Sequence, residues 1–104
     1  IHQLLRSGAE INAPEGKYDN TMQIVASRGH TEIVQMLLDR GADANARYLL
    51  QTASREGHTK IVQMLLDRGA DINAGNINAG YPLRTAAIGG HTEIVQMLLD
   101  RGAD

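Results

Sequence analysis

A phrase of eighteen residues, Gly29 to Ala46 (GHTEIVQMLLDRGADANA), returns from Gly57 as GHTKIVQMLLDRGADINA and from Gly90 as GHTEIVQMLLDRGAD. The opening residues, Ile1 to Ala13, carry a worn tail of the same unit, Leu4-Leu5-Arg6-Ser7-Gly8-Ala9-Glu10-Ile11-Asn12-Ala13. Near-identical copies rule out a single closed core with ordinary domain topology. Each copy is a small supersecondary unit that buries its apolar face on the next.

Within a copy, the pattern is helical. Ile33, Val34, Leu37 and Leu38 fall at i, i+1, i+4 and i+5, which is one face of a helix and not the alternation of a strand. Glu32 lies in the first turn and Arg40 at the far end, each complementing the helix dipole. Gly41 follows where helices commonly stop in a left-handed residue. The spacing therefore predicts outer helices over Thr31 to Arg40, Thr59 to Arg68 and Thr92 to Arg101. Lys60, a cation in the first turn, departs from the rule and reads as a tolerated surface change.

A shorter helix is predicted before each Gly-His, over Thr21 to Arg28, Leu49 to Glu56 and Pro82 to Gly89. Ala26 and Ser27, Ala53 and Ser54, and Ala86 and Ala87 are small, which lets two helices approach closely. Pro82 suits a first turn, where its missing N–H is not needed. Helices of about ten residues are marginal alone and must bury their stripes on the neighbouring unit.

These residues carry a family resemblance. Gly-His-Thr-Glu-Ile-Val-Gln-Met-Leu-Leu-Asp-Arg-Gly-Ala-Asp-x-Asn-Ala, preceded by Pro82-Leu83-Arg84-Thr85-Ala86-Ala87, resembles the ankyrin repeat over essentially the whole chain. The resemblance implies an all-α solenoid of stacked helix-turn-helix units with a β-turn or hairpin finger between them. The chain is also similar to the ankyrin arrays of fungal nucleotide-binding immune-type receptors, because Gln23 and Gln51 replace the usual His of the short helix. The segment Gly16-Lys17-Tyr18-Asp19-Asn20 is in the same style.

The units are read as 1–13 (the C-terminal part of a broken unit), 14–46, a shortened 47–74, and 75–104, cut at its end. Gly8 to Gly41 and Gly69 to Gly102 are each 33 positions apart, but Gly41 to Gly69 is only 28. The outer helix of the middle unit is complete, so the finger near Ala46 to Tyr48 is short. The family's Thr-Pro-Leu-His is degraded to Asn20-Thr21-Met22-Gln23 and Tyr48-Leu49-Leu50-Gln51. Because Ile1 falls inside a unit, the chain reads as an array fragment, with apolar ends at Ile1, Leu4 and Leu5 and at Leu98 and Leu99.

Catalytic chemistry finds little support. His30, His58 and His91 recur once per unit, about one repeat thickness apart, which is too far for one ion with ligands about 2 Å away. Each ring is expected to tie a loop to a helix. His2 has no evident role. Asp39-Arg40, Asp67-Arg68 and Asp100-Arg101 read as solvated helix ends, and Asp43, Asp71 and Asp104 as turn residues that accept backbone N–H groups. Ile88-Gly89-Gly90-His91 is an inter-helix turn and not a phosphate cradle. The family resemblance implies that Asn12, Asn45 or Asn73 can be hydroxylated, but an Asn that bonds the backbone between fingers is the simpler reading. No nucleophile, base and orienting group combine, so the expectation is no enzyme, no cofactor and no metal site.

The net charge of −2, with both signs interspersed, offers no basic block for nucleic acid or an anionic membrane. No apolar run reaches the roughly 20 residues of a membrane span. The chain has no cysteine, which suits a reducing, intracellular and cytoplasmic setting.

Positions that differ between units are where a binding face can be written. On the fingers these are Glu15, Lys17, Tyr18 and Asp19, then Arg47 and Tyr48, then Asn76, Ile77, Asn78 and Tyr81. At the exposed ends of the short helices they are Arg28, Arg55 and Ile88, beside Ser27 and Glu56. In the ankyrin architecture these two sets line one concave face, and Tyr and Arg are common interface anchors. The expected function is non-catalytic recognition of a partner protein through that face. The alternative is structural: end-to-end stacking of chains into longer arrays or filaments.

Overall fold

The computed structural model describes residues 19–78 and 80–104 and, of these, all side chains but those of Asp19 and Arg47. Expectations for Ile1, His2, Leu4, Leu5, Asn12, Glu15, Lys17 and Tyr18 lie outside the described residues.

Six α-helices form three antiparallel pairs among the described residues. The inner helices are α1 (Asp19–Ser27), α3 (Leu49–Glu56) and α5 (Pro82–Ile88). The outer helices are α2 (Thr31–Asp39), α4 (Thr59–Asp67) and α6 (Thr92–Asp100). Inner helices pack on one another in a row, α1 on α3 on α5, and outer helices do the same, α2 on α4 on α6. A short 3-10 helix, Ala46–Tyr48, leads directly into α3. The described residues hold no strand, only an isolated antiparallel bridge between Asn76 and Gly80. The fold is an all-α solenoid.

The apolar stripe is two-sided, which is how a thin stack makes a continuous core. In the middle pair Ile61, Val62 and Leu65 are all fully buried, because neighbours cover both sides. Val34 and Leu38 are buried beneath the following pair, whereas their register equivalents beyond α6 differ: Val95 is half-buried and Leu99 is 51% exposed. Val and the last Leu of the stripe therefore look towards the following unit. Ile and Met look back towards the preceding one, as Ile94 at full burial and Met64 at 7% exposure show. Fully burying one such Leu contributes about 1.5–3 kcal/mol. Leu98, expected at an exposed end, is fully buried; it belongs to the central line of the stripe, which its own inner helix covers.

The inner row is close-packed because its contact residues are small. Ala26, Ala53 and Ala86 have no exposed surface. Each outer helix ends as its sequence predicts, with one adjustment. The Gly41 amide bonds the Leu38 carbonyl at 3.0 Å, and the Ala42 amide bonds Leu37 at 3.0 Å. This pair of bonds satisfies carbonyls a helix end leaves open, and Gly41 adopts φ +98°, where a Cβ would be strained. Gly69-Ala70 and Gly102-Ala103 repeat the arrangement. Arg40, Arg68 and Arg101 accordingly stand at the cap position just outside the helix rather than in its last turn.

Candidate functional site

Several of the repeated polar residues join one unit to the next. The His58 ring donates from Nε2 to the Ser27 carbonyl at 2.8 Å, and His91 does the same to the Arg55 carbonyl at 2.8 Å. The ring needs room, and the preceding unit's glycine provides it. A Cβ on Gly29 would come within 2.7 Å of His58 Cε1, and one on Gly57 within 2.6 Å of His91 Cε1. Gly-His recurs because each glycine is the socket for the next histidine. The expected loop-to-helix tie is therefore a tie between neighbouring units.

Asn45 Oδ1 accepts the Asp71 amide and Asn73 Oδ1 accepts the Asp104 amide, each at 3.0 Å. Asp43 and Asp71 accept the amides two residues on, Asn45 at 2.9 Å and Asn73 at 3.0 Å. Both expectations for these Asp-x-Asn turns hold at those positions. Gln23 Nε2 donates to Thr52 Oγ1 of the following unit at 2.7 Å, whereas Gln51 Nε2 donates to the Ala74 carbonyl at the end of its own unit.

The Asp-Arg dipeptides do something that periodicity alone did not reveal. Arg68 pairs with Asp39 of the preceding unit, and Arg101 Nη1 with Asp67 Oδ1 at 2.9 Å. The Arg68 guanidinium first, and then the Gln35 side-chain amide, hold the Asp39 carboxyl below its ordinary value. The sequence signal was present in the fixed spacing of Asp and Arg, but a charge at a helix end also has a purely local reading.

With these ties assigned, the variable positions separate into two clusters. The first surrounds the finger. Tyr48 and Tyr81 occupy equivalent positions just before α3 and α5 and are 47% and 46% exposed. Ile77, at the finger tip, is 92% exposed, and Asn78 is exposed beside it. Asn76 is not a free contact residue as expected. Its Nδ2 donates to Tyr48 Oη at 2.8 Å, its Oδ1 accepts the Asn78 amide at 2.8 Å, and its carbonyl accepts the Gly80 amide at 2.7 Å. It builds the finger and ties it to Tyr48.

Tyr48 itself is the one non-glycine residue of the described chain with positive φ, at φ +57° and ψ +36°. Such a conformation costs an ordinary residue of order 1–2 kcal/mol. Its cause is the shortened unit: the chain turns from the 3-10 helix straight into α3, where the next unit has Gly75 to Gly80 to complete the same turn. A cavity of about 360 Å³ opens here, lined by Ala44, Asn45, Tyr48, Leu49, Leu50 and Ala74. Asp19, expected on a finger, is instead the first residue of α1. Arg47 lies within the 3-10 helix.

The second cluster lies at the other end of the inner helices. Arg28, Arg55 and Ile88 are exposed there, Ile88 by 75%. Arg55 pairs with Glu56 at 3.2 Å and stays solvated. The eight residues of α3 separate the two clusters by about 12 Å at 1.5 Å per residue. Arg28, Arg55 and Ile88 are thus not brought against the finger residues; any one partner must bridge the length of the inner helices.

Among the described residues no group of three or more His, Asp or Glu side chains is placed to hold a metal ion. No described helix is long and apolar enough to cross a membrane.

Comparison with known proteins agrees with this architecture. A family model described as "Ankyrin repeats (3 copies)" matches residues 1–76, and one described as "Ankyrin repeat" matches residues 81–104. A curated relative, "Azaphilone pigments biosynthesis cluster protein L" of Monascus ruber, is 54% identical over 33 residues. That match covers 32% of this chain and only 7% of the relative. With matches that span nearly its whole length, the chain belongs to the ankyrin-repeat family.

Proposed function

We propose that the chain is a non-catalytic protein-binding module whose partner lies across the fingers and the inner helices. Ankyrin repeats are generally protein–protein interaction modules. The observation that supports this particular face is the division of labour among residues. The shared His, Asn and Asp–Arg residues are engaged in inter-unit ties, while the variable positions leave Ile77, Ile88, Tyr48 and Tyr81 facing solvent. Large apolar and aromatic side chains held on rigid supports suit the central contacts of an interface. The 33-residue match to the Monascus ruber protein is one repeat long, so it carries the scaffold and not that protein's wider role. An intracellular, cytoplasmic setting fits the absence of cysteine.

Affinity capture from a lysate tests the reading, comparing the chain with an Ile77→Asp, Tyr81→Ser, Ile88→Asp variant. All three side chains are exposed, so circular dichroism should show equal folding. A protein retained by the parent and lost by the variant supports the face; the same retention by both removes it.

A further inference from the structure

We infer that the cavity beside Tyr48 is a pocket for one aliphatic side chain of the partner protein, taken together with its own peptide group. The inference rests on the reading of the chain as a protein-binding module and names what the partner presents. The cavity holds about 360 Å³ and lies between the turn at Ala44 and Asn45 and the turn that ends at Ala74, inside the described stack. Here the middle joint departs from its neighbours. Ala44 stands at the register position of Ile72, and of Ile11 in the opening residues. Both other turns that run on to Asn-Ala carry isoleucine at this place, and the middle one carries only a methyl group.

The lining sets the chemistry of the guest. Ala44, Leu49 and Leu50 are buried and give the cavity an apolar wall. Among the described residues no charged side chain lines it, so an ionic group that entered would lose its water without gaining a partner. Two side-chain amides complete the wall. Asn45 Oδ1 already accepts the Asp71 amide, and Gln51 Nε2 already donates to the Ala74 carbonyl. What remains is one donor, Asn45 Nδ2, and one acceptor, Gln51 Oε1. These are the complements of a peptide carbonyl and a peptide N–H. A neutral aliphatic side chain on a peptide backbone suits the apolar wall, the lack of charge and the donor–acceptor pair together.

The rim is set before any partner arrives. Between Asn45 and Tyr48 the middle unit has only Ala46 and Arg47, where the third unit runs from Ala74 to Gly80 before Tyr81. Tyr48, and not a full finger, therefore borders the cavity. Its backbone is held at φ +57°, and its hydroxyl accepts the Asn76 side-chain amide at 2.8 Å. Residues held in such conformations cluster at ligand clamps, and a rim fixed in advance lowers the ordering cost of binding.

Nuclear magnetic resonance titration of the isotope-labelled chain with N-acetyl-isoleucine N-methylamide tests the pocket, with the capped aspartate and the capped glycine as comparators. The isoleucine probe should shift the amide signals of Ala44, Asn45, Tyr48 and Ala74, with half-saturation at about millimolar concentration for so small a ligand. The other two probes should need at least about tenfold more, one for its charge and one for its missing side chain. Ala44→Ile supplies that side chain from within. It should abolish the shifts and leave the circular dichroism unchanged, since the other turns hold isoleucine at this position. Ala44→Val is the smaller change should isoleucine disturb the turn, and it should weaken the response in the same direction. An equal response to all three probes, no saturable response, or an undiminished response in both variants overturns the pocket. Shifts of the same signals on concentrating the parent alone, abolished by Ile77→Asp, would assign the pocket to the fingertip of a second copy and overturn the separate partner. The wider reading is judged apart from this: Ile77, Tyr81 and Ile88 do not line the cavity, so capture through them can succeed where the pocket fails.

Discussion

The middle and third units share their outer helices almost residue for residue, yet enter their inner helices differently. The third unit has the finger Gly75 to Gly80, closed by the Asn76–Gly80 bridge, and Tyr81 follows in an extended conformation at φ −117°. The middle unit is five positions shorter, and Tyr48 takes the left-handed conformation at the equivalent place. The shortening leaves the inter-unit joints intact. His58 and His91 make the same bond at the same distance, and Asn45 and Asn73 likewise. The histidine joints lie in the inter-helix turns, away from the finger, and the asparagine joints lie in the Asp-x-Asn turns that precede it, so neither uses the finger residues the middle unit lacks. An ankyrin unit can therefore lose finger residues at a local conformational cost while its stacking is preserved, which is what allows fingers to vary.

Four experiments would break or sharpen the comparison. The largest effect is expected from Leu65→Ala. Its side chain is fully buried between two neighbours, and the substitution should cost about 2–5 kcal/mol and unfold much of the array in a denaturant titration. Leu99→Ala, at the half-exposed site of the third unit, should stay within about 0.5 kcal/mol. Equal losses at the two positions would refute the two-sided stripe.

Next, Tyr48→Gly and Tyr81→Gly should differ by about 1–2 kcal/mol in favour of the middle unit, since only Tyr48 gains relief from a left-handed backbone. The lost Tyr48 Oη–Asn76 bond works against this, so the comparison of melting temperatures should also include Tyr48→Phe, which removes that bond alone.

Ser54→Ala should stabilise by about 1 kcal/mol. Ser54 Oγ is buried without a partner, at the register position of Ala26 and Ala87. A melting temperature that falls would mean that the hydroxyl is satisfied after all.

The smallest effect concerns Asp39, in the joint between the first and middle units. Its carboxyl is held below the ordinary value by Arg68 and then by Gln35, so the folded state binds that proton less readily than the unfolded chain does. The stabilisation is present above the unfolded value, begins to fade below about pH 4, and is lost as pH falls through the depressed folded value. Asp39→Asn should flatten this part of the acid limb of a stability-against-pH curve. The pair is exposed, so salt should shrink the difference further.

Much of the architecture was legible in the residues. The stripe of Ile33, Val34, Leu37 and Leu38, the stop at Gly41, and Pro82 at a helix start are signals within one turn or two of the chain, where local geometry and helix periodicity govern. The inner and outer helices follow from them within a residue or two at each end. Unit length was equally readable, and it located the short finger at Ala46 to Tyr48. The candidate face was legible only in part. Variation marked Ile77, Ile88 and Tyr81 as well as Asn76, but it could not separate an exposed side chain from one engaged in building the finger. Nor could it show that Arg28, Arg55 and Ile88 stand a helix length away from the tyrosines.

Repetition alone determined that this chain stacks, where its helices begin and end, and which positions are free to differ. The partners across the stack came from the fold. Arg68 meets an aspartate 29 positions earlier, His91 a carbonyl 36 earlier, and Gly29 makes room for a ring that arrives only with the following unit. Those contacts depend on the offset and rotation between successive helix pairs. Close packing of Ala26, Ala53 and Ala86 against their neighbours sets that geometry, and no pattern along a single helix encodes it.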